Sequence, residues 1–230
     1  MRLLVTRPEA DAAPLAAALE ARGHTVCLAP VISIVMKHEA APDLAGVAAL
    51  AFTSANGVRA FLPHVSAARQ LPAFAVGPQT AAQLRAAGFE TVRVASGDVV
   101  ALAQTIAAAH PAGPVLHISG RDQAGDLAGA LASAGYETRR AVLYAAQAAR
   151  QLPNAALTAL RNQTIDGVVL YSKRSAEIFY RLADAAMLDM KHVPAYCLSE
   201  GVGDIAREVG APVHVAAFPD DEHMMACLDT

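Results

Sequence analysis

Short apolar runs alternate with alanine-rich segments of helical spacing along most of the chain. The runs ALAF at 49–52 and GVVL at 167–170 contain no polar residue, which is typical of strands buried on both faces of a parallel sheet. A short polar corner follows each run, and the helical segment after it ends at a glycine before the next run. This βα pattern predicts an α/β fold with helices on both faces of parallel sheets.

The same residues recur in register in separate parts of the chain, which indicates an internal duplication. The segment at 2–26 aligns with 114–138, and the segment at 49–95 aligns with 167–217. The aligned pairs are Leu15 with Leu127, Leu19 with Leu131, Gly23 with Gly135, Ser54 with Ser172, Phe61 with Phe179, Pro72 with Pro194, Gly77 with Ser199, and Gly88 with Gly210. If the first aligned pair is named A and A′ and the second B and B′, the chain has the order A, B, A′, B′. No turn signature follows the runs near 30–36 and 141–146, so we expect these two to be linker strands.

The composition allows a large core without a membrane span. The 230 residues are 54% hydrophobic, and the mean hydropathy is +0.33. The uncharged stretch 99–120 nevertheless carries polar residues and prolines and cannot cross a bilayer as one helix. The apolar run before Arg7 is too short for a signal peptide. We therefore expect a cytoplasmic protein.

Charge and cysteine usage exclude further classes of protein. The net charge is −3 and no basic run is present, which argues against a nucleic-acid-binding surface. Cys27, Cys197 and Cys227 fit no metal or redox spacing, and we interpret them as buried thiols in a reducing compartment. The eight histidines have no ligand spacing, and no hydrolase elbow, zinc-protease motif or P-loop is present. We predict no metal and no cofactor.

Six polar corners carry the candidate chemistry, because ligands of open parallel sheets collect at the carboxyl ends of the strands. The corners are rich in hydroxyls and cations, which suits an anion with many charged groups. Their candidate binding residues are Arg7, Ser54, Asn56, Thr80, Ser119, Arg121, Ser172, Lys173, Arg174 and Ser199. Ser, Thr and Asn also cap helices whatever the function. Capping alone therefore stays open as the role of each corner.

A glycine motif supplies a rival interpretation. Gly201, Gly203 and Ala206 form a GxGxxA pattern that follows a predicted strand and precedes Asp220 at about the interval of a ribose-binding acid. The pattern usually opens a nucleotide-binding domain, whereas here it lies in the final unit. Nucleotide binding remains the weaker alternative.

Several segments, in their order and spacing, resemble the uroporphyrinogen-III synthase family over essentially the whole chain. These segments are an opening TRP, FTSANGVRAF, VGPQTAAQLRAAGF, GRD followed by LAGALASAGYETRRAVLY, and YSKRSAEIF. The resemblance implies two similar flavodoxin-like, parallel-sheet βα domains joined by a two-stranded linker. The implied domains are 1–34 plus 147–230, which is discontinuous, and 35–146.

The resemblance also implies an activity, that of a cyclising hydro-lyase in haem biosynthesis. Such an enzyme converts hydroxymethylbilane into uroporphyrinogen III, with inversion of the terminal pyrrole, in a cleft between the domains. Thr80 matches the threonine of the family's VGxxT corner, where we expect its hydroxyl to cap the helix. Tyr144 matches the family's strand-end tyrosine and is the candidate catalytic donor to the departing hydroxyl, with packing of the linker as the alternative. We expect a monomer that binds a linear tetrapyrrole and transiently contacts the preceding enzyme.

Two positions depart from the family pattern. Val202 stands where relatives often have a second threonine, and Arg174 stands where a small hydroxyl is usual. These departures leave open a relative that kept the fold as a ligand-binding or regulatory module and lost the chemistry.

Overall fold

A computed structural model describes residues 1–37 and 41–229. The chain divides into two compact units, unit 1 with Met1–Ser33 and Gln147–Thr230, and unit 2 with Ile34–Ala146. Within residues 1–37 and 41–229, none of the helices combines the length and the apolar character that a bilayer span requires.

Unit 1 is built on a five-stranded sheet. Its strand order is β11-β10-β9-β1-β2, and each neighbouring pair is parallel. The strands are β1 (Arg2–Val5), β2 (Thr25–Leu28), β9 (Gly167–Leu170), β10 (Ala195–Cys197) and β11 (Val213–Val215). The helices are α1 (Glu9–Ala21), α6 (Asn154–Arg161), α7 (Lys173–Ala185), α8 (Glu200–Glu208) and α9 (Asp221–Leu228).

Unit 2 is built on a six-stranded sheet of order β3-β8-β7-β4-β5-β6. From β8 to β6 the neighbouring strands are parallel. The strands are β3 (Ile32–Met36), β4 (Ala49–Phe52), β5 (Ala73–Ala75), β6 (Val92–Val94), β7 (Val115–Gly120) and β8 (Thr138–Ala148). The helices are α2 (Ala55–Phe61), a 3-10 helix (Leu62–Ala67), α3 (Pro78–Ala86), α4 (Val99–Ala107) and α5 (Leu127–Ser133). The predicted linker run 141–146 lies within β8, and its residues Ala141, Val142 and Tyr144 pair with β7.

The duplication is visible in the strand order. From β11 to β2, the sheet of unit 1 takes three strands from segment B′ and then two from segment A. From β6 to β8, the sheet of unit 2 takes three strands from segment B and then two from segment A′, in the same order. Aligned residues have matching roles: the carbonyls of Pro72 and Pro194 accept from the amides of Leu50 and Val168 at 2.9 and 2.8 Å. The segments that align in the sequence therefore supply strands at equivalent places in the two sheets.

Each sheet is covered by apolar side chains of the helices that follow its strands. In unit 2, Phe52 of β4 contacts the rings of Phe61 and Phe89 edge-on at centroid distances of 5.7 and 6.0 Å. Phe61 and its aligned partner Phe179 are both fully buried. The fully buried strand β4 explains why its sequence is a continuous apolar run rather than an alternating one.

Candidate active site

The predicted corners of each unit follow three adjacent strands. In unit 2 they follow β7, β4 and β5, and in unit 1 they follow β10, β9 and β1. Because these strands are parallel, their carboxyl ends meet at one edge of each sheet. The structure thus brings Ser54, Asn56, Thr80, Ser119 and Arg121 to one edge in unit 2. It brings the other five predicted binding residues to the corresponding edge in unit 1.

Ser54 and Tyr144 form a pair of hydroxyl groups at the edge of unit 2. Ser54 is the N-cap of α2, and its Oγ accepts a hydrogen bond from the Gly57 amide at 3.2 Å. The same Oγ lies 2.7 Å from the Tyr144 hydroxyl. Tyr144 is 8% exposed and packs into the core of unit 2. Packing and a polar contact therefore coexist at this tyrosine.

The prediction that Thr80 caps its helix is wrong. Gly77 is the N-cap of α3 and Thr80 is the third residue of the helix, because the proline at 78 occupies the first helical position, which suits its fixed φ. Thr80 is 4% exposed, and within the described residues its hydroxyl has no hydrogen-bond partner. Asn56, in the first turn of α2, accepts from Arg59 Nη2 at 2.6 Å.

The corner after β7 also differs from its prediction, because no helix begins there. Ser119 and Gly120 end the strand, and α5 begins only at Leu127, with Asp126 as its N-cap. Ser119 is buried at 1% exposure, and its Oγ accepts from Arg140 Nε at 2.8 Å. The Arg121 side chain is 61% exposed and lies 3.7 Å from the Asp122 carboxylate.

A buried histidine beside this corner was not among the predicted site residues. His117 is 2% exposed. Its Nε2 lies 3.1 Å from Thr53 Oγ1 and its Nδ1 lies 3.4 Å from Gln123 Nε2. Burial, and then the positive charge of Arg140, lower the pKa of His117 to about 4. The signal in the sequence was a single polar residue inside the apolar run VLHI at 115–118.

In unit 1, Arg7 lies against an aromatic ring. Its guanidinium carbon is 4.2 Å from the centroid of the Tyr171 ring, and its Nη1 is 3.6 Å from the Asp221 carboxylate. Burial, followed by the negative charge of Asp221, raises the pKa of Tyr171 well above its usual value. Tyr171 and Asp221 were missed, because only the fold brings β9 and α9 to the Arg7 corner.

The other corners of unit 1 combine caps and cations. Ser172 is the N-cap of α7 and accepts from the Ser175 amide at 3.1 Å. Ser199 is the N-cap of α8 but makes no cap hydrogen bond with its side chain. Lys173 lies over Gly201, since a Cβ added there would meet its Cε and Nζ. Arg174 is exposed on the first turn of α7.

The GxGxxA pattern has local structural explanations. Gly203 lies inside α8 and packs on β11, where an added Cβ would be 3.0 Å from Val213 and 3.1 Å from Val215. Asp220 is the N-cap of α9 and accepts from the His223 amide at 2.8 Å. Helix packing and capping therefore account for the glycine and the acid that suggested a nucleotide.

The cysteines follow their prediction in part. Cys27 and Cys197 are buried thiols, whereas Cys227 is a half-buried thiol. Burial raises the pKa of Cys197 to about 12, which makes it a poor nucleophile. In the ranges 1–37 and 41–229, no three metal-ligating side chains cluster.

Solved structures share this fold. A uroporphyrinogen-III synthetase from Helicobacter pylori 26695 is 17% identical, with a TM-score of 0.70 over 99% of this chain and 98% of that one. A mutant uroporphyrinogen III synthase from the extremely thermophilic bacterium Thermus thermophilus is 18% identical, with a TM-score of 0.56 over 100% and 96% of the two chains. No protein with a curated description matches the sequence.

The family comparison covers nearly all of the corners described above. The family model described as uroporphyrinogen-III synthase HemD matches residues 13–226. This range contains the Ser54–Tyr144 pair and every predicted binding residue except Arg7. The chain therefore belongs to the uroporphyrinogen-III synthase family.

Proposed function

We propose that this protein is a lyase that closes hydroxymethylbilane to uroporphyrinogen III with inversion of the terminal pyrrole. The observation that carries the proposal is the hydroxyl pair of Ser54 and Tyr144, which lies on a sheet edge lined by hydroxyls and cations. Loss of the substrate hydroxyl as water requires a proton donor at that oxygen, and a phenol is a neutral donor at pH 7.

The hydrogen bonds of Ser54 favour Tyr144 as that donor. Ser54 Oγ already accepts the Gly57 amide proton, so its own proton is available for the Tyr144 oxygen 2.7 Å away. A tyrosine that accepts from Ser54 has its O–H left for a ligand. Hydrogen bonds in such a chain polarise one another, which makes the phenol a better donor.

The remaining corner residues would orient the substrate. We propose that Arg7, Arg121, Lys173 and Arg174 bind its carboxylates. The polar side chains that would add hydrogen bonds are Ser54, Asn56, Thr80, Ser119, Ser172 and Ser199. Thr80 suits this role because its hydroxyl lacks a partner among the described residues. Holding a flexible tetrapyrrole in one reactive conformation removes several kcal/mol of the barrier, on the order of 7–11 kcal/mol in the best model reactions.

We propose that the enzyme works without a cofactor, as a cytoplasmic monomer, and receives its substrate in transient contact with the enzyme that makes it. Orientation and proton donation, which side chains supply, both assist loss of water and ring closure.

The test is the ratio of isomer III to isomer I formed from freshly generated hydroxymethylbilane. We expect isomer III to form with the wild type and to form more slowly with Tyr144→Phe, in which a water molecule supplies the lost donor. Formation of isomer I alone, at the spontaneous rate, would contradict synthase activity. It would favour the alternative, a ligand-binding module with the same fold. A wild-type rate in Tyr144→Phe would remove Tyr144 from the catalytic role.

A further inference from the structure

One arginine on β8 holds the end of the neighbouring strand β7. Arg140 Nη2 donates to the carbonyl of Gly120 at 2.6 Å and to that of Arg121 at 2.8 Å. Its Nε donates to Ser119 Oγ at 2.8 Å. A planar guanidinium presents five donors in a fixed geometry, so one side chain fixes three consecutive residues.

The three residues that Arg140 holds, 119–121 (the Arg140 clamp), lie at an irregularity in the β7–β8 ladder. Ser119 pairs with Val142, but Gly120 pairs with Tyr144, so Leu143 is an extra residue on β8. Such bulges redirect side chains and are frequent beside active sites. Here Leu143 and Tyr144 both pack into the same core of unit 2, whereas regular alternation would place them on opposite faces.

Gly120 connects the clamp to the tyrosine. A Cβ added at Gly120 would be 2.7 Å from Cε2 of Tyr144 and 2.8 Å from its Cζ. The Tyr144 ring therefore lies directly on the Gly120 backbone. The Tyr144 carbonyl also accepts from the Arg121 amide at 2.8 Å. A shift of residues 120–121 would move the support of the ring.

We propose that Arg140 is a positioning residue: by fixing Gly120 and Arg121 it holds the Tyr144 hydroxyl against Ser54. The catalytic consequence rests on the proposed synthase function, whereas the effect on the Tyr144 ring does not. Arg140 touches no reacting atom and acts through the strand end.

The neighbouring Arg139 provides a matched control. It lies on the same strand and donates to the Ala45 carbonyl at 2.7 Å and to Glu137 at 3.0 Å. Arg140→Gln and Arg139→Gln therefore each remove one charge and contacts to backbone, but only the first affects the strand end beneath Tyr144. Arg140→Lys keeps the charge and loses the planar fork.

The first measurement is the NMR spectrum of protein with ¹³C-labelled tyrosine rings, in which Tyr144→Phe assigns the Tyr144 signal. We expect Arg140→Gln to shift or broaden that signal and Arg139→Gln to leave it unchanged. This measurement requires no activity. An unchanged Tyr144 signal in folded Arg140→Gln protein would overturn the proposal.

The second measurement separates kcat from KM for isomer III formation. We expect Arg140→Gln to lower kcat severalfold to about tenfold, and by no more than Tyr144→Phe does, with little change in KM, because it acts only through the position of the Tyr144 hydroxyl. Arg140→Lys should fall between that variant and the wild type. In a Tyr144→Phe background, Arg140→Gln should have less than about a twofold further effect, since coupled residues are not additive.

The outcomes separate the two proposals. Equal loss of kcat in Arg139→Gln and Arg140→Gln, or an undiminished effect of Arg140→Gln in the Tyr144→Phe background, would overturn the positioning role. A wild type that forms no isomer III would overturn the proposed function alone, and the Tyr144 signal would then decide whether Arg140 positions the ring. If Arg140→Gln does not fold, Arg140→Lys answers the same questions.

Discussion

At the residue scale, Thr80 and Val202 show how one position can keep its packing and change its chemistry. They are aligned in the duplicated segments, and each is the third residue of its helix. Both are buried, at 4% and 2% exposure. The β-branched shape is thus common to the two units and the hydroxyl belongs to unit 2, which explains why Val202 is compatible with the fold.

We expect Thr80→Val to lower the turnover of isomer III formation while changing the free energy of unfolding by less than about 1 kcal/mol. Valine keeps the shape, and the lost hydroxyl has no partner among the described residues. Steady-state kinetics and urea unfolding would measure the two effects. Thr80→Ala should lose additional stability because it leaves a gap. Unchanged turnover in Thr80→Val would make Thr80 a packing residue.

His117 predicts a pH dependence of stability. Its pKa is about 4 in the folded protein and about 6.5 in an unfolded chain. As the pH falls, the unfolded state takes up the proton before the folded state does, so protonation favours unfolding. The contribution of the neutral, buried His117 to the free energy of unfolding is therefore complete above pH 6.5 and is lost as the pH falls towards 4. The full loss amounts to about 3 kcal/mol, of which about 2 kcal/mol has occurred by pH 5.

We therefore expect His117→Gln to lose less stability than the wild type between pH 7.5 and pH 5. Urea unfolding at the two pH values measures the difference. His192→Gln, at an exposed position, is the control and should behave as the wild type. Equal losses in the wild type and His117→Gln would show that the histidine does not carry the pH dependence.

At the element scale, the glycines that end the helices have a conformational role. Gly23 and its aligned partner Gly135 follow α1 and α5 with φ of +80° and +85°. Side chains with a Cβ rarely adopt this left-handed conformation. The glycines that marked helix ends in the sequence are therefore required by the backbone and not by close packing, since an added Cβ at Gly23 meets nothing within 4 Å.

Gly23→Ala should lower the free energy of unfolding by about 1–2 kcal/mol, the cost of a left-handed residue with a Cβ. Gly23→Asn should lose less, because asparagine tolerates this conformation better. Thermal or urea unfolding compares the three proteins. An alanine variant as stable as the wild type would show that the helix end adjusts its φ without cost.

At the scale of the whole molecule, the charges at the carboxyl edges predict how a polyanion binds. Charge-assisted contacts between cations and carboxylates are the strong ones. They weaken as salt screens them, with a screening length of about 10 Å at 0.1 M. Lys173 lies at such an edge of unit 1, while Lys191 precedes β10 and so lies at the opposite end of the strand.

We expect uroporphyrin, as a stable polyanionic probe, to bind more weakly as the salt concentration rises. Lys173→Gln should weaken binding at low salt and flatten the salt dependence. Lys191→Gln removes the same charge and should do neither. Titration followed by porphyrin absorbance measures all three proteins. Identical salt dependence in the wild type and Lys173→Gln would contradict a carboxylate contact at Lys173.

The periodicity of the sequence determined the α/β class, the parallel strands, the duplicated order of segments and the helix ends at Gly23 and Gly135. These features depend on local propensity and on residues a few positions apart. The corners could be identified because the carboxyl edge of a parallel sheet follows from strand direction alone. The hydroxyls of Ser54 and Ser172 as caps belong to the same local class.

Tertiary structure decided which side chains meet. The Ser54–Tyr144 contact joins residues 90 positions apart, and Arg140 holds residues 119–121 beside a bulge that shifts the β7–β8 register by one residue. The placement of Thr80 inside α3 and of Tyr171 beside Arg7 likewise depends on neighbouring elements. Periodicity determines the face of an element, whereas contacts within hydrogen-bond distance depend on how strands are ordered and registered, and only the folded chain specifies these.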